Sequence, residues 1–525
     1  LSEPGGAGTY PRCPEESGGV PLACATGSAL AKSFDPIAMT YLDMGMLLVR
    51  FDGGNKRFES YEISCTLNQG VPPINSPMRR SPYRAIVRQP CIEVGRSIAM
   101  SVKFLTIAMA LSLWHGALSG CGAGDPIAPR FALEHTYSVR DPEFLRVVTN
   151  VCGPQMTDGN AVKMLKDLRE CLPVMLEVIR AAQHSVVVES FILWSDQTGR
   201  TVTNALIERA EAGVAVHVIV DDVGSQSLSG DDERRMSESG IHLVRFNPIE
   251  RVLLIFPAAD VNHRTHRKLL IVDGRIGFIG GLGFSDLWLG EGEEPVQWRE
   301  CVCRVTGPVV AQLQGAFMEN WIETVGQVLD GDAYFPPLTS EGNIQAQVVL
   351  NSASDGDANI ELMFLLAINA ASESIDIGTA YFVPDDLLIE GLQKARGRGV
   401  RVRVLVPGSH TDSEITRDAS VARWDELLDA GIEIYEYQPA MYHCKIMIVD
   451  SLWTSVGSAN LDPRSLRLSE ECNLNVFDEV FAHEQTRMYE DDLTRCQKIT
   501  QLQHERRSVF NRIGEFFATL FSPQL

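Results

Sequence analysis

Two short stretches decide how this chain folds: His266-Arg267-Lys268-Leu269-Leu270-Ile271-Val272-Asp273-Gly274 and His443-Cys444-Lys445-Ile446-Met447-Ile448-Val449-Asp450. Both read H-x-K-x-x-x-x-D, and they stand 177 residues apart. On a strand, residues i and i+2 share a face, so His266 projects with Lys268 and His443 with Lys445. The apolar run after each lysine describes a buried strand. Asp273-Gly274 then has the composition of a hairpin turn, which makes Asp273 and Asp450 scaffold groups of the motif rather than reactants. A lone His-x-Lys pair is an ordinary strand; two copies at matched positions of a repeat point to chemistry.

The surrounding text is repeated as well. In the first half a strand-like run, Val186 to Leu193, is followed by a helical stretch, Thr201 to Ala212. The runs Gly213 to Val220 and Gly240 to Pro248 come next. In the second half the strand opens at Ser374, the helix spans Leu387 to Arg396, and the following runs are Gly399 to Val406 and Gly431 to Pro439. The matching glycines are offset by 186 and 191 residues. This order predicts βαβ units and a largely parallel sheet in each half, with a site where the halves meet.

With 525 residues and 57.9 kDa, the chain is too long for a single growing core. Hydrophobic residues at 45% and charged residues at 22% exclude a mainly disordered, collagenous or polytopic membrane protein. The formal net charge is −22; residues 1–121 hold 11 basic and 9 acidic groups, so residues 122–525 carry −24. Such a body repels nucleic acid and anionic membranes at long range, and binding either would need a local basic site or a tether. None of the 12 cysteines forms a C-x-x-C pair, so a zinc site is not expected and buried small hydrophobes are.

Cys121 is the exception. Residues 1–99 are rich in Gly, Pro and Ser with no sustained period. Met100-Ser101-Val102-Lys103 is then a short basic start, Phe104 to Leu113 an apolar run of ten, and Leu118-Ser119-Gly120-Cys121 a small-residue ending. These are the three parts of a secretory signal, with a core too short to span as an ordinary membrane helix. The expected organisation is an N-terminal extension over 1–99, a signal over 100–121 and a linker and lead-in over 122–157. The two halves follow, 158–340 with its motif at 261–288 and 341–525 with its motif at 438–465. A buried helix with a chance cysteine is the alternative reading of 100–121.

The paired motifs resemble the phospholipase D superfamily, and within it the bacterial cardiolipin synthases, over about residues 158–525. The likeness includes Asn262-His263-Arg264-Thr265-His266-Arg267-Lys268, Gly280-Gly281, Thr379-Ala380-Tyr381-Phe382-Val383-Pro384-Asp385, Ile434-Tyr435-Glu436-Tyr437-Gln438-Pro439, and Gly457-Ser458-Ala459-Asn460-Leu461-Asp462-Pro463-Arg464-Ser465. Three positions depart from the pattern: Gly283 and Ser469, where the family often has Asn, and Glu300, where Asp is common. The ending Leu-Ser-Gly-Cys resembles a bacterial lipoprotein box, with Cys121 lipidated in the cell envelope and Met100 as the start.

The resemblance implies an α/β fold of two duplicated βαβ sandwich halves related by a pseudo-twofold. It also implies a covalent phosphatidyl-enzyme that needs no metal and no cofactor. From the residues themselves, Lys268 and Lys445 offer positive charge to a phosphodiester, Ser458 and Asn460 offer neutral donors, and one imidazole attacks phosphorus while the other handles the proton. His266 is assigned as nucleophile and His443 as acid/base. Glu471 and Glu300 are the candidate orienting carboxylates, and the resemblance suggests that they cross over, Glu471 to His266 and Glu300 to His443. Glu189 reads as a partner of the basic site or a structural ion pair, and His263 as local packing or rim.

The function expected is phosphatidyl transfer forming cardiolipin or a related lipid, from a phospholipid such as phosphatidylglycerol, by a monomer at a membrane surface with no nucleic-acid partner. Hydrolysis of phospholipid is the alternative, and a nuclease or a non-catalytic lipid-binding lipoprotein are less favoured. Two segments are candidate membrane contacts: Arg251 to Pro257, and the C-terminal stretch with Phe510, Ile513, Phe517 and Phe521 at helical spacing near Arg506, Arg507 and Arg512.

Overall fold

The computed structural model describes residues 51–52, 55–56, 131, 133–249, 262–352 and 358–524. The chain divides into two units, Leu1–Cys91 and Ile92–Leu525. The first contains an antiparallel pairing of Phe51–Asp52 with Asn55–Lys56. The signal expected over 100–121 with Cys121, the rest of residues 1–99, and the Arg251 to Pro257 segment lie outside the described residues. The second unit holds the duplicated body.

A lead-in helix, α1 (Pro142–Val151), precedes it. The first half then runs β1 (Thr157–Lys166), α2 (Asp167–Ala181), β2 (Ser185–Ser190), α3 (Gln197–Glu211), β3 (Ala215–Asp221), α4 (Gly230–Glu238), β4 (His242–Phe246), β5 (Leu269–Val272), β6 (Ile276–Gly280), β7 (Cys301–Thr306) and α5 (Val310–Val325). The second half repeats it as β8 (Ile344–Asn351), α6 (Asn359–Ala370), β9 (Ser374–Gly378), α7 (Asp386–Gly397), β10 (Arg401–Pro407), α8 (Glu414–Ala422), β11 (Glu433–Tyr437), β12 (Ile446–Val449), β13 (Trp453–Gly457), β14 (Ser469–Phe477) and α9 (Glu479–Leu493). It closes with β15 (Cys496–Ile499) and α10 (Val509–Thr519).

These strands join one sheet in the order β15-β11-β10-β9-β12-β13-β14-β8-β1-β7-β6-β5-β2-β3-β4. Apart from β15, the order is the same read outward from the β8–β1 seam in either direction. This is the two-half architecture expected, with its pseudo-twofold at the seam. The expectation of a largely parallel sheet needs correction: along this path of strands only β2-β3-β4 and β9-β10-β11 run parallel. The motif strands β5 and β12 are joined to β6 and β13 by three-residue turns, and so short a connection can only reverse the chain.

Those turns explain the motif aspartates. Asp273 and Gly274 have φ of 52° and 59°, and Asp450 and Ser451 have φ of 51° and 48°. Two successive positive φ values match the twist of a hairpin, and Asp tolerates them better than most residues. Each carboxylate also collects backbone N–H groups from the neighbouring strand entry. Asp273 accepts from Gln183, His184 and Ser185, and Asp450 from Ser372, Glu373 and Ser374.

Three apolar clusters fill the body. One lies under α2 and α3 of the first half, and one under α6 and α7 of the second. The third combines α5 and α9 with β-strand residues of both halves, including Val187, Ile271, Ile446 and Leu474, so the halves share a core. The lead-in helix α1 packs Phe144 and Val148 into the second-half cluster. On α10, Ala518 packs on Val383 and Ala419, whereas Ile513, Phe516 and Leu520 are exposed. The outward apolar stripe is therefore Ile513, Phe516 and Leu520, while Phe517 and Phe521 are half-buried. Among the described residues, no helix is long and apolar enough to cross a membrane.

Candidate active site

The chain entering each motif strand crosses to the other half before it turns into the sheet. Arg264–Thr265 pairs in parallel with Ser469–Glu470, the opening of β14. Met441–Tyr442 pairs in parallel with Trp298–Arg299, just before β7. The main-chain N–H of His266 donates to Glu470 O at 2.9 Å, and that of His443 to Arg299 O at 2.8 Å. Each histidine is thus pinned one residue from a glutamate of the opposite half.

The side chains complete the crossing. His266 Nδ1 lies 2.9 Å from Glu471 Oε1, and His443 Nδ1 lies 2.5 Å from Glu300 Oε2. Nε2 of each imidazole is left for other partners. Lys268 Nζ donates to His266 O at 2.6 Å, and Lys445 Nζ donates to His443 O at 2.6 Å and lies 3.0 Å from His443 Nδ1. Ser458 Oγ donates to Glu471 Oε2 and receives the N–H of Cys472, so it braces a carboxylate. Asn460 Oδ1 accepts from Thr379 Oγ1 at 3.4 Å, at the end of β9. Asp273 and Asp450 sit at the far ends of their strands, bonded to main chain.

The two corners differ electrostatically. Burial pushes His266 down to about 4, against the pull of Glu471, and pushes His443 well below its ordinary value, with Lys445, Lys268 and His266 acting in the same direction. Burial raises Glu471, but His266, Lys268 and Ser458 outweigh it, and the carboxyl ends below its usual range. Glu300 behaves oppositely: burial raises it to about 7 despite Lys445 and the N–H of Cys301. Burial also lowers Lys268 to about 7 and lowers Lys445. Glu471 is thus a carboxylate at neutral pH, while Glu300 titrates close to neutrality and can share a proton with His443.

The pseudo-twofold also exposes unequal equipment. Gly281 stands where the second half has Ser458, and Gly283 where it has Asn460, as the matched bridges Leu193–Phe284 and Phe382–Leu461 show. A Cβ at Gly281 would meet Glu300 Oε2 at 2.5 Å, so the carboxylate needs the glycine. A Cβ at Gly283 would meet Trp288 ring carbons at 2.8 Å, so an indole fills the space of the missing amide.

Other candidates fall outside the histidine pair. Glu189 Oε1 accepts from Thr265 Oγ1 and from Asn320 Nδ2, and burial raises it to about 7. His263 Nε2 lies 2.7 Å from Glu470 Oε1. The described groupings of metal-ligand side chains are Glu300 with Cys301 and Cys444, and His263 with Glu323 and Glu470. In both, a carboxylate is already engaged, Glu300 by His443 and Glu470 by Arg267.

Comparison with known proteins matches a family model described as cardiolipin synthase, phospholipase D-like domain, over residues 175–321 and 364–493. Among curated proteins, cardiolipin synthase 1 of Bacillus anthracis is 33% identical over 404 residues, 75% of this chain and 78% of that protein. Cardiolipin synthase A of Pseudomonas fluorescens is 32% identical over 70% of this chain and 75% of that one. The chain belongs to the cardiolipin synthase family. The cardiolipin synthase of Staphylococcus aureus is 31% identical over 70% of this chain and 74% of that one. Among solved structures, phosphatidylserine synthase of Haemophilus influenzae Rd KW20 superposes with a TM-score of 0.55 at 15% identity, covering 72% of this chain and 96% of that one, and it shares the fold.

Three aromatic residues at the family site were not singled out from the sequence. Phe191 lies edge-on to His266 with ring centroids 5.3 Å apart, and Lys268 Nζ stands 5.5 Å from the same ring. Trp288 and Trp298 flank His443 at 5.5 and 4.9 Å. The available signal was the pair of tryptophans in the 25 residues after the first motif, in a chain with only 7.

Proposed function

We propose that the chain is a phosphatidyltransferase that forms cardiolipin or a related phospholipid through a phosphatidyl-histidine intermediate, taking a phospholipid such as phosphatidylglycerol. The observation that carries this reading is the convergence of two His-Lys pairs, each histidine held at Nδ1 by a glutamate of the other half. That arrangement leaves two Nε2 atoms for one phosphorus, in a chain of the cardiolipin synthase family.

His266 is the nucleophile. Its Nδ1 proton is held by an ionised Glu471, which leaves the Nε2 lone pair for phosphorus. The P–N bond forms as the bond from phosphorus to the leaving alcohol oxygen breaks, and His443 gives that oxygen a proton. In the second half-reaction His443 takes the proton of an incoming hydroxyl, whose oxygen attacks phosphorus while the P–N bond breaks. Lys268 and Lys445 balance the phosphoryl charge, and Asn460 offers an amide donor. Asp273 and Asp450 hold the two strands in place and take no part in the proton transfers.

The membrane is the surface at which this takes place, and a lipid anchor at Cys121 is the expected tether. The exposed stripe Ile513, Phe516 and Leu520 is the second contact, since the C-terminal turn lies beside the first motif: Asn262 Nδ2 donates to Gln524 Oε1 at 2.6 Å.

The test is incubation of the purified protein with phosphatidylglycerol vesicles, followed by lipid analysis. Cardiolipin with an equal amount of glycerol supports transfer. Phosphatidic acid as the main product identifies a hydrolase, and no lipid turnover rejects the reading. Labelled lipid phosphate should remain on a His443→Ala protein and be lost from His266→Ala; the reverse exchanges their roles.

A further inference from the structure

The aromatic surroundings of the two histidines are unequal. Among the described residues His266 has one ring, Phe191, at 75° to its own plane, and that ring also faces Lys268. His443 has two indoles. Trp298 lies 4.9 Å away at only 37°, close to a stacked arrangement, and Trp288 lies 5.5 Å away at 76°. The indoles brace each other at 4.8 Å. Both come from the half that also supplies Glu300, so the first half surrounds the histidine of the second.

Trp288 is fully buried, and its Nε1 has no hydrogen-bond partner among the described residues. A ring seated where the second half has Asn460 therefore contributes its bulk rather than its N–H.

We propose that Trp288 and Trp298 are positioning residues for His443, together holding the imidazole against Glu300, with the near-parallel face of Trp298 stabilising its imidazolium during phosphatidyl transfer. The inference rests on the reading of His443 as the histidine that carries the proton. The charged and titratable groups facing His443 are Glu300, Lys445, Lys268 and His266. In the free protein the three basic groups and burial all oppose a proton on the ring. A phosphodiester anion between the lysines cancels most of that repulsion. Burial then remains, and water cannot solvate the cation. An indole face within about 6 Å of a cation supplies the attraction that water would have given. Glu300, which titrates near neutrality, provides the other half of the site for the proton.

The experiment compares Trp298→Leu and Trp298→Phe with the unsubstituted enzyme. Trp298 is half-buried, and Leu keeps water out while removing the ring. The alkaline limb of kcat, which reports the enzyme–substrate complex, should move to lower pH by about 0.5–1.5 units in Trp298→Leu. Trp298→Phe should restore most of the shift. An unmoved limb, or one moved to higher pH, overturns the proposal; the upward shift would mean that the indole acts only by excluding water. A second readout needs no turnover. The nitrogen-15 titration of His443 in protein saturated with inorganic phosphate, assigned with His443→Asn, should show the same downward shift in Trp298→Leu. If the unsubstituted protein transfers no phosphatidyl group, the functional reading fails while this titration still decides the role of the indoles.

Discussion

Glu471 and His266 come from opposite halves of the duplicated chain, 205 residues apart, and meet at 2.9 Å between Oε1 and Nδ1. The mirror contact, Glu300 with His443, has the same topology and a different charge state. The two carboxylates should therefore respond differently to the same isosteric change. Glu471→Gln removes the anion that fixes the His266 tautomer and should lower kcat by about 10²- to 10⁴-fold. Glu300→Gln alters a group that already titrates near neutrality and should cost less at pH 6 than at pH 8. Steady-state kinetics at both pH values check the ranking, and a greater loss in Glu300→Gln would refute it.

The pH profile of kcat/KM reports the free enzyme. With His266 as the proposed nucleophile, attack needs the neutral ring, and burial has brought its pKa to about 4, so the ring stays competent far below pH 6.5. Lys268 binds phosphate only when protonated, and its pKa is brought down to about 7; the proton for the leaving alcohol is the one the Glu300–His443 pair holds, and Glu300, raised to about 7, loses it above the same value. The expected profile is a plateau between about pH 4 and about pH 7. An acid limb centred near 6.5 would contradict the neutral, buried histidine.

Gly281→Ala tests how closely Glu300 is fitted. The added methyl would stand 2.5 Å from Glu300 Oε2, so the carboxylate must move away from His443. A displacement of that size in a positioning group corresponds to about a 10²-fold loss in kcat. Circular dichroism and the melting temperature should be close to those of the parent, which separates displacement from unfolding.

Asp273→Ala should separate scaffold from reactant. The carboxylate accepts three main-chain N–H groups that water would only partly satisfy. Stability to urea should fall by about 1–3 kcal/mol, while kcat at a temperature where the protein is folded changes less than tenfold. Loss of turnover without loss of stability would place Asp273 in the chemistry.

Arg267→Ala tests the seam. The guanidinium is fully buried, donates to Glu470 Oε2 at 2.8 Å and to Asn351 O at 3.1 Å, and so links the first half to the second. Removing it leaves a buried carboxylate without its main counter-charge, at a cost of about 3–5 kcal/mol measured by urea unfolding.

The repeat, the motif strands and their turns were legible because each leaves a local mark: an unbroken apolar run after Lys268 and Lys445, a turn dipeptide after Val272, matched glycines before β3 and β10. The antiparallel share of the sheet was legible in principle from the Asp273-Gly274 turn, and was outweighed by the βαβ spacing. The site was legible where type and spacing coincide, in the two His-Lys pairs. It was not where geometry alone brings residues together. Trp288 and Trp298 have no spacing rule relative to His443, because nothing in sequence states that the chain before β7 runs beside the chain before β12. Gly283 read as a missing amide, and only the packing shows that an indole occupies its place.

The crossed glutamates set a clock on synthesis. A ribosome adds about 5–20 residues per second, so some 10–40 s separate the emergence of His266 from that of Glu471. During that interval the nascent chain carries His266 without the carboxylate that meets its Nδ1 in the fold. The catalyst comes into being only when β14 has threaded beside the opening of the first motif strand. An interrupted or truncated product ending before β14 therefore lacks the crossed pair altogether.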